Sequence, residues 1–218
     1  MEKLIPNLSY HIFNHANGFE NIFSEDENYR FFLDKYKLYI APIAETYAYC
    51  LLPNHFHLVV RIRRKEVIEE LIRNKYNFPK VSFDFGKVRE EVNVSDGDIE
   101  KYLSKQFSNL FSSYTQSFNR MYKRMGSLFI KNFRREVILD KEYFLNAVVY
   151  THRNPVHHGF CNRYTDWSYT SYCEISERRS EVIDVNKLLA VFKSKEHFVD
   201  FHKQNLDKFN QSTELEAP

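Results

Sequence analysis

The chain is poor in glycine and cysteine, carries almost no net charge, and contains no long apolar run. Five glycines in 218 residues are about 2%, against roughly 7% in an average protein, which excludes a collagenous or glycine-rich low-complexity chain. The three cysteines, Cys50, Cys161 and Cys173, are odd in number, widely spaced and form no CxxC pair. Neither a disulfide framework nor a zinc knuckle is supported, and a reducing cytoplasm is the simplest compartment. No stretch approaches the ~18 apolar residues of a membrane span. The opening residues, MEKLIPNLSYHIF, lack the apolar core of a signal peptide. With 31 Lys and Arg against 29 Asp and Glu, the formal charge is +2, which excludes a uniformly basic, indiscriminate nucleic-acid coat.

What the chain does have is aromatic side chains and unevenly placed charge. Phe (20), Tyr (15) and Trp (1) make up 17% of the residues. The length suits one domain, or one domain with a small appendage. Between Lys101 and Arg135 there are eight basic residues and no acidic one: Lys101, Lys105, Arg120, Lys123, Arg124, Lys131, Arg134 and Arg135. The last six are interleaved with Tyr122, Phe129 and Phe133, and Arg61, Arg63, Arg64 and Lys65 form a second cluster. Cations hold phosphates and aromatic faces stack on unpaired bases, so this placement points to one confined nucleic-acid-facing region. A solvated basic helix end has the same pattern.

Residues 8–15, LSYHIFNH, predict a first strand, followed by an Asn17-Gly18 turn. Ser24-Glu25-Asp26-Glu27 has capping-box form, and Phe32, Tyr36, Tyr39, Ile40 and Ile43 follow at helical spacing, predicting a helix over about 26–42. TYAYCLL (46–52) and HFHLVVRI (55–62) are strand-like, and Pro53-Asn54 between them makes either a hairpin or a bend in one strand. Residues 66–74 predict a short helix, and 76–98 a loop or insertion. The longest helical period runs from Leu103 to Met125, with Ser95 or Asp98 as N-cap and Gly126 as stop. A strand over 128–138 follows, then a helix over 140–153 that Asn154-Pro155 ends or kinks, because a residue before proline is pushed out of the α region. Weak helical patterns at 184–193 and 196–209 precede a polar tail. The expected class is α+β, a central antiparallel sheet flanked by helices. Residues 1–175 form its main unit and 176–218 a helical C-terminal appendage.

Side chains alternate across a strand, so His55, His57, Val59 and Arg61 share one face, and Phe56, Leu58, Val60 and Ile62 the other. The second set is apolar and is the core side, which turns both imidazoles away from the core. Their Cβ atoms lie about 7 Å apart, within reach of one divalent ion; two surface histidines on a solvated face have the same sequence. Tyr150 and Asn154 are one helical turn apart on one face, in a stripe with Tyr143 and Ala147. A phenolate stabilised by a metal or cation is a nucleophile toward phosphorus, and the Asn154 amide oxygen can be a third ligand to a hard ion. In a chain with 15 tyrosines, packing is the ordinary role of any one of them.

Taken in order, several segments resemble one family. They are Tyr10-His11-Ile12, Asn21-Ile22-Phe23, AYCLLPNHFHLVVRI (48–62), FNRMYKRMGSLFIKNFRR (118–135), YTHRNPVHHGF (150–160) and Trp167-Ser168. Over roughly residues 8–172 the chain resembles the IS200/IS605-like Y1 transposases, in their REP-associated tyrosine transposase branch, of the HUH endonuclease superfamily. The resemblance implies a ferredoxin-like HUH/Y1 fold with the histidine pair on a middle strand. It implies an enzyme that uses Mg²⁺ or Mn²⁺ to cleave single-stranded DNA at hairpin-associated sites, forming a 5′-phosphotyrosine link and freeing a 3′-hydroxyl for strand transfer. His55 and His57 match the metal pair, Asn154 the residue that completes the metal site, and Tyr150 the nucleophile. The expected DNA contacts are Arg61, Arg120, Lys123, Arg124, Lys131, Arg134 and Arg135. The expected partner is single-stranded or hairpin DNA, with no membrane, and the acting unit is a monomer or a homodimer. Two other readings stand beside this one: a domesticated, catalytically silent hairpin-binding protein, and a metal enzyme using only the histidine pair on a small substrate. The chain departs from the family pattern at His15, where relatives commonly carry arginine, and in the length of 76–98.

Overall fold

The computed structural model describes residues 2–76 and 93–205. Strands β1 (Ser9–His15), β2 (Ala44–Leu52), β3 (His55–Ile62) and β4 (Arg134–Ile138) form one antiparallel sheet in the order β2-β3-β1-β4. Helices α1 (Asp26–Tyr39), α2 (Lys65–Tyr76), α3 (Asp96–Met121), α4 (Lys141–His157), α5 (Ser171–Ser176), α6 (Val185–Phe192) and α7 (Lys195–Asn205) flank it. The class is the expected α+β. Leu52 pairs with His55, so Pro53-Asn54 turns a hairpin, and β3 is a middle strand.

One face of the sheet packs on α1 and α3. Ile12, Phe56, Leu58 and Val60 are buried there, and Phe56 meets Phe32 of α1 and Phe111 of α3. The α3 stripe Leu103, Phe107, Leu110, Tyr114 and Phe118 is buried as its period predicts. The other face, which carries the histidines, does not stand in solvent. Helix α4 lies over it, with Phe144 against Tyr47 of β2, and His55 and His57 are only 3% and 4% exposed. Both faces of β3 are therefore interior from His55 to Val60, and only Arg61 is exposed.

Four local expectations need correction. Glu25, one residue past Ser24, is the N-cap of α1, and Asn28 Oδ1 accepts from the backbone N–H groups of Ser24 and Glu25. Helix α3 starts after its Ser95 cap but stops at Met121, short of Gly126, because Lys123 takes a left-handed conformation (φ 51°). The strand predicted over 128–138 pairs only from Arg134. Asn132 (φ 67°) breaks the extended run, and 128–130 instead lies alongside Ala16 and Asn17. Helix α4 continues through Asn154-Pro155 to His157. Thr151, Asn154 and Pro155 are all buried, and this packing outweighs the local bias of proline against the helix, about 3 kcal/mol. Of the predicted 76–98 insertion, 77–92 lies outside the described residues, as does the predicted tail beyond Asn205.

The C-terminal helices join the same hydrophobic cluster through Leu188, Phe192 and Phe198. A buried hydrogen-bonded chain ties them to α4 and β2. The Tyr49 N–H donates to Ser171 Oγ (2.9 Å), whose hydroxyl donates to His152 Nε2 (2.8 Å). His152 Nδ1 donates to His202 Nε2 (2.9 Å), and His202 Nδ1 donates to the Phe198 carbonyl (2.8 Å). Only this set of neutral tautomers satisfies the bonds of both histidines, since the carbonyl can only accept. No helix among the described residues is long and apolar enough to cross a membrane.

Candidate active site

The sheet register assembles a histidine cluster from three elements. On β3, His55 and His57 project toward α4. On β1, alternation puts His11, Phe13 and His15 on the same face, with His15 opposite His55 and Phe13 opposite His57. The His15 ring stacks on His55 (centroids 4.7 Å) and the His11 ring on His57 (5.1 Å). His158, which caps the C-terminal end of α4, meets the His55 ring edge-on at 4.9 Å. His11 and His158 were not among the sequence candidates. The signal for His11 was in β1 itself, where LSYHIFNH read at period two puts His11, Phe13 and His15 on one face.

Helix α4 brings the other half. The Tyr150 ring stands edge-on to His57 (5.4 Å) and to His11 (5.7 Å). One turn on, Asn154 is 1% exposed, and its Nδ2 donates to the Tyr150 carbonyl (3.0 Å). That bond turns Oδ1 toward His55 Nε2, 3.5 Å away. The Asn54 Oδ1 atom accepts from His55 Nδ1 (2.8 Å), so Nε2 presents its lone pair. An imidazole nitrogen and an amide oxygen, both acceptors, thus face each other inside the protein. Ligands on neighbouring positions of one octahedral ion sit about 3 Å apart, so this donor pair fits a divalent cation. Among the described residues no group of three or more His, Cys, Asp or Glu side chains is arranged to hold a metal. Burial pushes the pKa of His57 well below the usual histidine range, with help from the neighbouring imidazoles, and pushes His11 down to about 4. Both rings are neutral near pH 7, the state a ligating imidazole requires.

Tyr143 lies on the same stripe but is otherwise engaged. Its hydroxyl donates to Glu136 Oε2 (3.1 Å), and burial together with that carboxylate pushes its pKa up to about 12.

No protein-family model matches the chain. A Haemophilus influenzae protein classed by name among the REP-associated tyrosine transposases is 26% identical over 130 residues, 59% of this chain and 58% of that relative. The chain thus spans less than two thirds of the relative's length. A solved structure, a REP-associated tyrosine transposase bound to a REP hairpin, superposes with a TM-score of 0.56 at 14% identity, covering 85% of this chain and 87% of the other. The chain has the fold of a REP-associated tyrosine transposase. Of the segments that resemble this transposase group in sequence, residues 10–12, 48–62 and 150–160 supply His11, His55, His57, Tyr150, Asn154 and His158.

The basic residues of this transposase-like chain divide by location. Arg120, Lys123, Lys131 and Arg134 are exposed and make no ion pair among the described residues. Arg61 is exposed at the far end of the histidine face, its Nε donating to the Asn7 carbonyl (3.2 Å). Arg124 is held internally by Glu20, the Asn119 side chain and the Gly126 and Ser127 carbonyls. Arg135 points to the opposite face of the sheet from the histidines, over the Phe133 ring (5.1 Å), and burial lowers its pKa. The acid-free block is not one patch either, since 26 residues of α3 span about 39 Å and set Lys101 and Lys105 far from Arg120.

Proposed function

We propose that this chain is a single-tyrosine DNA endonuclease and strand transferase of the REP-associated type, acting on single-stranded DNA beside a hairpin. The observation that carries the reading is the meeting of Tyr150 and Asn154 of α4 with His55 and His57 of β3. The hairpin bound to the structural neighbour and the four exposed cations that make no ion pair among the described residues support DNA as the substrate. Tyr150 Oη attacks the scissile phosphorus, the new P–O bond forming as the bond to O3′ breaks; the phenolic proton leaves to solvent, and the departing O3′ takes one up from it. The products are a 5′-phosphotyrosine and a free 3′-hydroxyl. Attack by a 3′-hydroxyl on the phosphotyrosine rejoins a strand without an external energy source, because the diester bond energy is conserved. His55, His57 and Asn154 would hold Mg²⁺ or Mn²⁺, which supplies Lewis acidity to the phosphate oxygens. The chain's own part is orientation: the packing of α4 holds the phenol edge-on to His57 and His11, and the bond from Asn154 Nδ2 to the Tyr150 carbonyl aims the Asn154 amide oxygen at His55. No observation favours the silent hairpin binder or a small-molecule enzyme.

The test uses hairpin DNA with a single-stranded flank, labelled at its 3′ end, incubated with the full chain and Mn²⁺. The expected product is a labelled covalent protein–DNA adduct, lost in Tyr150→Phe while DNA affinity is retained. A normal adduct yield from that variant would overturn the role of Tyr150. Tight wild-type binding with no adduct in either Mg²⁺ or Mn²⁺ would establish the silent binder instead.

A further inference from the structure

A buried pair of imidazoles lies behind the proposed metal site. His11 Nε2 and His57 Nδ1 are 3.0 Å apart, and both rings are buried. The register accounts for the pairing: His11 is opposite Val59 on β3 and Glu136 on β4, which makes His57 its diagonal neighbour. Only one proton can lie between the two nitrogens, and it can belong to either. The two choices differ at the outer ends of the pair.

If His57 Nδ1–H donates, His57 Nε2 keeps its lone pair, and the outer N–H of His11, on Nδ1, points at Glu136 Oε2, 4.0 Å away. If His11 Nε2–H donates, the His11 Nδ1 lone pair faces that carboxylate and His57 Nε2 carries the proton, which blocks it as a ligand. At 4.0 Å the carboxylate makes no hydrogen bond, but its charge favours the first arrangement over the second. Glu136 is held in place from α4 by the Tyr143 hydroxyl (3.1 Å). This gives Tyr143 a task that its place on the Tyr150 stripe left unassigned.

We infer that His11, biased by Glu136, is a positioning residue that holds His57 in its Nδ1–H tautomer and leaves Nε2 as the ligand atom. The inference deepens the proposed function and rests on its metal site. Outer partners of this kind set the ring orientation and basicity of ligating histidines, and their loss typically lowers metal affinity about 10–100-fold.

The test reads the tautomer directly, without metal. In the full chain labelled with ¹⁵N-histidine, long-range ¹H–¹⁵N correlation spectra report which nitrogen of each ring is protonated, with His57 assigned by its loss in His57→Gln. The expected wild-type result is Nδ1–H at His57. Glu136 has a half-exposed side chain (55%), so its substitution leaves the fold intact. Glu136→Gln is expected to shift His57 toward Nε2–H and to weaken Mn²⁺ binding, followed by electron paramagnetic resonance, about 10-fold or more. Glu136→Asp, which keeps the charge, is expected to preserve both. His11→Phe is expected to act like Glu136→Gln. A wild-type His57 in the Nε2–H form, or a Glu136→Gln variant with unchanged tautomer and Mn²⁺ affinity, would overturn the inference. A wild-type chain that shows the Nδ1–H form and its loss in Glu136→Gln, yet binds no Mn²⁺ and forms no adduct, would refute the metal site and leave the positioning role standing.

Discussion

Replacing His202 with Phe tests whether the C-terminal helix α7 locks the Tyr150 helix through buried hydrogen bonds. His202 is fully buried and accepts the Nδ1–H of His152 at 2.9 Å. Phe keeps a ring of similar size, so the cavity contribution is small. What is lost is the acceptor for a buried N–H, a penalty of about 1–3 kcal/mol. The Phe198 carbonyl keeps its partner inside α7, the residue-202 backbone N–H. The pH dependence sharpens the test. Burial pushes the His202 pKa down to about 3, whereas in the unfolded chain it is about 6.5. The folded state therefore keeps His202 neutral while the unfolded state takes up a proton as pH falls below 6.5. Stability from this group is fully present above pH 6.5 and is lost at about 1.4 kcal/mol per pH unit below it, or about 2 kcal/mol by pH 5. Phe does not titrate and escapes that loss. Urea unfolding of wild type and His202→Phe, followed by Trp167 fluorescence, is expected to show the variant about 1–3 kcal/mol less stable at pH 7.5 and roughly equal to wild type at pH 5. A difference that stays constant with pH, or one below about 0.5 kcal/mol at pH 7.5, would refute the buried, neutral network.

Two other predictions separate surface charge from structure. Lys123→Ala and Lys131→Ala should each weaken hairpin-DNA binding evenly across sequences and reduce the slope of log K against log salt by about 1, measured by fluorescence anisotropy. Arg124→Ala, although from the same block, should instead destabilise the fold by about 1 kcal/mol, because its partners are Glu20 and loop carbonyls. Ser95→Ala should cost about 1 kcal/mol by removing the N-cap of α3, whose side chain accepts from the Asp98 N–H; the urea midpoint should fall with an unchanged m-value.

Much of this architecture could be read locally. The α3 stripe and the alternation in β3 repeat within a few residues, and the structure uses both as written. Where the reading failed, a distant contact or an unusual backbone conformation intervened. Pro155 sits inside a helix because α4 is buried around it, Asn132 and Lys123 break their elements with positive φ, and the histidine face is interior because α4 covers it. The basic block from 101 to 135 is contiguous in sequence yet divided in space, since a straight helix separates residues in proportion to their number.

By itself the sequence determined which residues could do chemistry and how neighbours along one element share a face: His55 with His57, and Tyr150 with Asn154. Only the tertiary structure decided that these two pairs meet. It also added His11, which reaches His57 across 46 residues of chain, as Asn154 reaches His55 across 99. Periodicity is a local property, set by 3.6 residues per turn or two per pleat. Sheet order, register and the face that α4 covers follow from burying the whole chain's apolar surface at once, and no window along the sequence contains that information.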